Sequence, residues 1–217
     1  KYMFHKDQVS HNGYYMRVDV RPADGFPEPE KLSDYTLGDK AMAYLDKMRE
    51  LCQEKGIELV LVKSPSLYPY WYDEWDEQIC AYAETYGLDY FNYEKLAPEI
   101  GIDYNTDTYD AGLHLNLSGA EKLSRYFGAY LTENYDLTDY REDPEYAEVY
   151  AEKIRFYDEM REAQYKELEE YGEKHLFDKP VIDYFAVSLP DLLIFDEDLE
   201  LKNKIHCLFM LALGCLG

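Results

Sequence analysis

Asp110 and His114, a carboxylate and an imidazole four residues apart, are the side chains of this sequence best suited to move a proton, and Asp107 stands three residues upstream as a second carboxylate. An aspartate beside a histidine can fix the ring tautomer and stabilise the imidazolium, which is what a general base in ester or acyl chemistry needs. The pair lies in the run Asp107-Thr108-Tyr109-Asp110-Ala111-Gly112-Leu113-His114-Leu115-Asn116-Leu117-Ser118-Gly119-Ala120-Glu121, polar in front and helix-forming behind. Ser118 is placed to cap that helix and Glu121 to complete a capping box. Leu123, Tyr126, Phe127, Tyr130 and Leu131 then give it one apolar stripe. His114 is therefore expected at the mouth of an element anchored on a core, where α/β enzymes hold acid-base groups. Ser64 and Ser66 follow a strand-like run, but Pro65 separates them and no Gly-x-Ser-x-Gly elbow surrounds them, so they read as turn residues.

Around this loop the chain alternates. Ala41, Leu45, Met48, Leu51 and Cys52 make a helical stripe that stops at Gly56, a residue suited to a left-handed C-cap. Residues 57–62 (Ile-Glu-Leu-Val-Leu-Val) read as a buried parallel strand. An aromatic stretch, Tyr68, Pro69, Tyr70, Trp71 and Tyr72, precedes a second helix with Trp75, Ile79, Tyr82, Ala83 and Tyr86 inside and Gly87 at its end. Residues 88–93 form the next strand. Helix, strand, helix, strand, loop, helix predicts an α/β layer with a parallel sheet. Two strands are too few for such a sheet, which typically has about four to six. Residues 14–20 offer a modest further strand within a polar, turn-rich stretch over 1–36, and the first strands of the domain are expected upstream of Lys1. After Leu131 an acidic connector (135–144) leads to a charged surface helix from Glu145 to about Glu170 that ends near Gly172 and Pro180. Residues 183–198 are mixed apolar and acidic, and residues 205–216 form an apolar finish. The expected domains are 1–134, the α/β part, and 135–217, a helical extension with an apolar tail.

Composition narrows the partners. A formal net charge of −23 over 217 residues repels phosphate and so argues against nucleic acid and anionic lipid surfaces. At 47% hydrophobic the chain can bury a core, and 24 Tyr against 9 Phe either stand in for phenylalanine around that core or suit wet, half-buried surfaces such as sugar-binding clefts. Cys52, Cys80, Cys207 and Cys215 lack paired metal spacing, and Cys52 and Cys80, on apolar helix faces, read as small buried hydrophobes. His5, His11, His175 and His206 have no partners at ligand spacing. There is no signal peptide, no Gly-rich phosphate loop, and no apolar run of the roughly 18 residues that a membrane span needs.

Residues 38–134 resemble the C-terminal half of an SGNH/GDSL-type hydrolase, and within that superfamily the membrane-tethered bacterial branch akin to D-alanine-transfer and alginate-acetylation proteins. The likeness is carried by Leu59-Val60-Leu61-Val62-Lys63-Ser64-Pro65-Ser66, by Tyr68-Pro69-Tyr70-Trp71, by Gly101-Ile102-Asp103-Tyr104, and by Tyr109-Asp110 through Glu121. It implies a three-layer α/β/α (flavodoxin-like) parallel sheet, incomplete here at the N-terminus, with a C-terminal helical appendage. It also implies a small-molecule or glycan ester substrate, no metal or organic cofactor, and an extracytoplasmic protein anchored through a segment not in this sequence. By position His114 becomes the general base and Asp110 its orienting carboxylate. The family spacing is Asp-x-x-His, whereas here it is Asp-x-x-x-His, which keeps Asp107 as the alternative orienter. The serine block and the glycine and asparagine of the oxyanion hole have no counterpart after Lys1, so the nucleophile is expected upstream. Tyr68, Tyr70 and Trp71 are candidate substrate contacts or a lid on the adjacent helix, and Asn116 is a substrate contact or a holder of its own loop. The expected function is an ester or acyl hydrolase or transferase. The alternative is a non-catalytic SGNH-like binding or scaffold module.

Overall fold

Two short strands carry the centre of the α/β unit. A computed structural model describes residues 14–23, 25–179 and 198–215. In chain order they form α1 (Asp39–Lys55), β1 (Val60–Lys63), α2 (Asp73–Tyr86), β2 (Asp89–Asn92), α3 (Ala97–Ile100), α4 (Leu117–Asn134), α5 (Ala147–His175) and α6 (Leu199–Gly214). β1 and β2 are parallel neighbours in the register Val60↔Asp89 to Lys63↔Asn92. The molecule is thus an α/β protein with a two-stranded parallel sheet among its described residues.

Both strands start later than the apolar runs suggest. Gly56 and Gly87 end α1 and α2 in the left-handed conformation, at φ 64° each. The residues that follow are taken up by the caps: Ile57 N–H bonds back to the Cys52 carbonyl and Leu88 N–H to that of Ala83. Ile57 and Glu58 are consequently exposed, and the ladder begins at Val60.

β2 is covered on both faces. Phe91 packs edge-on to Phe127 and Tyr130 of α4, while Tyr90 and Asn92 point the other way and bond Asp76 of α2. A small core of Leu67, Ala97, Ile102 and Tyr104 lies beyond the strand ends, with Leu115 and Leu123 against it. It anchors the segment between α3 and α4.

The chain divides into two compact units, Val20–Tyr135 and a second comprising residues 14–19 with those from Asp136 on. Residues 14–19 thus group with the second unit. Their alternation is real, with Met16, Val18 and Val20 buried, yet no strand forms. The reason is the partner: the Gln164 side-chain amide of α5 accepts from Val18 N–H and donates to the Met16 carbonyl, standing in for a neighbouring backbone. In the second unit α5 runs through Gly172 and does not end there. A Cβ on Gly172 would lie 2.7 Å from Leu211 Cγ, and one on Gly214 would lie 2.8 Å from Glu169 Cβ, so these glycines let α5 and α6 approach closely.

The four cysteines are thiols, with Cys207 buried, Cys215 exposed, and Cys52 and Cys80 half-buried. Among the described residues no helix is long and apolar enough to cross a membrane, and no group of His, Cys, Asp or Glu is arranged to hold a metal ion. The expectations for His5, His11 and Pro180, for most of 183–198, and for Leu216 fall outside the described residues.

Candidate functional site

The segment from 101 to 116 is a hairpin-like loop set by three anchors. Thr108 and Leu115 form an antiparallel bridge at its neck, and Leu67 N–H, just beyond β1, donates to the Gly112 carbonyl at its tip. The extended stretch Arg21 to Ala23 runs along the other side: Arg21 N–H donates to Thr108, Ala111 N–H to Arg21, and Ala23 N–H to Tyr104. The buried Thr108 hydroxyl lies 3.1 Å from the carbonyls of Arg21 and Tyr104 and accepts from Gly112 N–H. The tip turns through two left-handed residues, Ala111 at φ 61° and Gly112 at φ 94°. At Gly112 a Cβ would meet Leu67 Cδ1 at 2.7 Å, so glycine is required twice over. The loop consequently sits at the C-terminal end of the strands, where open α/β sheets carry their sites.

In this frame Asp110 grips His114 with both oxygens. Oδ1 accepts the His114 backbone N–H at 2.6 Å, and Oδ2 lies 2.6 Å from Nδ1. An ionised carboxylate only accepts, so Nδ1 carries the proton and the Nε2 lone pair is left as the basic atom. Nε2 has no hydrogen-bond partner among the described residues, and the side chain is 59% exposed. Tyr109 lies parallel to the imidazole, 5.7 Å between centroids and 9° between planes. The i,i+4 spacing works because the left-handed turn at Ala111 and Gly112 folds the chain back on itself.

Asp107 has a different task. It is buried and its oxygens accept from Asp103 N–H, Ser118 Oγ and Lys122 Nζ, the last at 2.7 Å. Those bonds tie the loop to α4, and the carboxylate that touches the His114 ring is that of Asp110. Ser118 is likewise not the cap. Asn116 is, its side-chain oxygen accepting from Gly119 N–H while its amide donates to the Thr106 carbonyl. Asn116 is buried and its side chain holds the loop, the second of the two roles open to it from the sequence. Gly119 is needed there because a Cβ would stand 2.5 Å from the Asp107 carbonyl.

The aromatic stretch divides. Tyr68 is exposed, whereas Tyr70 and Trp71 join Tyr72 and Trp75 in an edge-to-face cluster over the start of α2. Trp71 Nε1 donates to Asp76. No hydrogen bond or ring contact among the described residues joins Tyr68, Tyr70 or Trp71 to His114. Ser66 is buried and donates to the Tyr68 carbonyl, a turn role, and Ser64 is exposed with its carbonyl accepting from Ser66 N–H and Lys63 Nζ.

The Asp76 cluster has no counterpart in the sequence reading. Its Oδ1 accepts from Tyr90 OH at 2.6 Å, Asn92 Nδ2 at 2.8 Å and Trp71 Nε1 at 3.3 Å, and Oδ2 accepts from Lys95 Nζ at 2.8 Å. Burial alone would raise its pKa, but the bonds from Lys95, Tyr90, Asn92 and Trp71 outweigh that and hold it at about 2. Burial and the same carboxylate push the Tyr90 phenol well above its ordinary range. Apart from Trp71, nothing local in the sequence marks Asp76, because its other partners come from β2 and the turn that follows it. Nearby, Lys63 Nζ bridges Glu94 and the carbonyls of Ser64 and Ser66, closing the turn after β1.

A recess of about 600 Å³ opens at the opposite, N-terminal end of the strands, lined by Arg49, Cys52, Thr85, Tyr86 and Leu88 among others. None of the expected site residues lines it. No protein-family model, curated protein or solved structure matches the chain.

Proposed function

We propose that the Asp110–His114 pair is the acid-base half of an ester or acyl hydrolase or transferase of SGNH type, acting on a small-molecule or glycan ester within a three-layer flavodoxin-like architecture. The observation that carries the reading is the double grip of Asp110 on His114, which fixes the tautomer and leaves Nε2 open at the C-terminal end of a parallel sheet. A base so arranged takes the proton of a hydroxyl as its oxygen attacks an acyl carbonyl, and returns it to the leaving alkoxide. The reading takes this hydroxyl from outside the described residues. Exposed Tyr68 is the aromatic side chain left for substrate.

The second reading, a non-catalytic module of the same shape, is favoured by one observation: among the described residues no hydroxyl bonds Nε2. Labelling by a serine-directed fluorophosphonate separates the two. On the catalytic reading the protein is labelled and turns over esters, and His114→Ala abolishes both. Labelling that is absent throughout, or unchanged by His114→Ala, removes the enzyme and leaves the module.

A further inference from the structure

Asp110 restrains His114 along one direction only. The hydrogen bond at Nδ1 fixes that atom but leaves the ring to tilt about the Nδ1···Oδ2 line, and a side chain 59% exposed has no surrounding core to stop it. The tilt decides where Nε2 points, because its lone pair lies in the ring plane. A second restraint comes from Tyr109. Its ring lies 9° from the imidazole plane with the centroids 5.7 Å apart, an offset stack against one face of the imidazole. The hairpin dictates this contact. Thr108 and Leu115 are bridged antiparallel, so Tyr109 and His114 are the next cross-strand pair, whose side chains share one face, and the Tyr109 N–H donates to the His114 carbonyl at 3.4 Å. Tyr109 is half-buried and follows Thr108, whose buried hydroxyl lies against the Arg21 and Tyr104 carbonyls. The stack is therefore mounted on the fixed side of the loop.

We propose that Tyr109 is a positioning residue for His114: its ring face fixes the imidazole plane, and it stabilises the imidazolium that forms when Nε2 accepts a proton. The consequence for rate rests on the acid-base reading above, whereas the hold on the ring rests on the hairpin geometry alone. Edge and face are restrained separately, the edge by Asp110 and the face by Tyr109, and the two restraints together set the direction of Nε2. A cation within about 6 Å of an aromatic face is attracted by the ring quadrupole. The imidazole is neutral before it takes the proton and charged afterwards, so this attraction grows towards the transition state and is absent when substrate binds. It is felt in kcat and not in KM. The face acts and the hydroxyl does not, so Phe can replace Tyr109 and a side chain without a ring cannot.

NMR of the whole chain reads the ring directly. The imidazole Nδ1–H proton, bonded to Asp110, is expected as a resolved downfield signal in the parent and in Tyr109→Phe. In Tyr109→Leu and Tyr109→Met it is expected to exchange with water about tenfold or more faster. The amides of Ala111 and Gly112, held by the Arg21 carbonyl and the Thr108 hydroxyl, report on the loop and are expected to keep their protection. Ester turnover then separates the positioning role from the acid-base reading. kcat is expected to fall about 3- to 10-fold in the two ringless variants, with KM within about twofold and the Phe variant matching the parent. A parent that turns over no ester but shows the expected proton exchange removes the acid-base reading and leaves Tyr109 as the residue that sets the ring. Three results overturn the proposal: a ringless variant whose imidazole proton or kcat matches the parent's, a Phe variant that behaves like Leu, or Ala111 and Gly112 amides that lose as much protection as the imidazole proton.

Discussion

Two aspartates of the α/β unit, Asp76 on α2 and Asp110 in the loop before α4, solve opposite problems with the same side chain. Asp76 is enclosed: Trp71, Tyr90, Asn92 and Lys95 all donate to it. Asp110 is partly exposed and spends its oxygens on one residue, the backbone and ring of His114, whose other nitrogen has no hydrogen-bond partner among the described residues. The first carboxylate closes a network and the second aims a partner outward. A satisfied network contributes rigidity, and an unfinished one is where chemistry can enter. Asp107, only three residues from Asp110, belongs with Asp76 in this respect.

The comparison can be broken first at the base. His114→Ala is expected to lower ester turnover in a fluorophosphonate-reactive form by about 1,000-fold or more, with a melting temperature close to the parent's. A large loss of stability with little loss of rate would place His114 among the structural residues.

Asp110→Asn comes next. An amide cannot hold Nδ1–H in the same way, so turnover is expected to fall by about 100- to 10,000-fold, and ¹⁵N spectra of His114 should show mixed tautomers. Asp107→Asn should leave that tautomer intact and destabilise the fold by about 2–3 kcal/mol, since it strips Lys122 of a buried partner. Equal rate losses for the two variants would erase the distinction between them.

Asp76→Asn is expected to cost about 2–3 kcal/mol in chemical denaturation and nothing in rate beyond what lost stability explains. Its pH dependence has a definite sign. A carboxylate held at about 2 instead of 3.8 contributes stability that is fully present above pH ~4 and is lost as pH falls towards ~2, about 2 kcal/mol in all. Denaturation of parent and variant between pH 6 and 2 should therefore converge at the acid end. Parallel curves would mean that Asp76 does not carry this linkage.

Tyr68→Ala is the smallest effect: within about 0.5 kcal/mol on stability, because the ring is exposed, and visible in KM only if the ring touches substrate.

What the sequence disclosed follows the range of each interaction. Gly56 and Gly87 announce helix ends because a left-handed C-cap is a local requirement, and the apolar runs after them announce strands. The first residues of those runs were misassigned because capping bonds reach past the glycine into Ile57 and Leu88. Around residue 116 two caps compete, and Ser118 with Glu121 reads more strongly than Asn116 until Asp107 is known to take the Ser118 hydroxyl. The pairing of Asp110 with His114 is nearly local and so was legible. Asp76 was not, as its donors at 90, 92 and 95 reach it only once β2 lies beside α2.

The clasp between Arg21 and the loop has a consequence for the order of assembly. Thr108 and Arg21 are 87 residues apart in sequence, and three backbone bonds join their neighbourhoods. Closing so long a loop is entropically unfavourable until most of the intervening chain has condensed, whereas α1, α2 and α4 can form locally. The geometry that aims His114 is therefore a late product of folding. Helical content returns early in a refolding trace, and amide-exchange protection at Arg21 and Ala111 arrives afterwards, together with whatever reactivity His114 possesses.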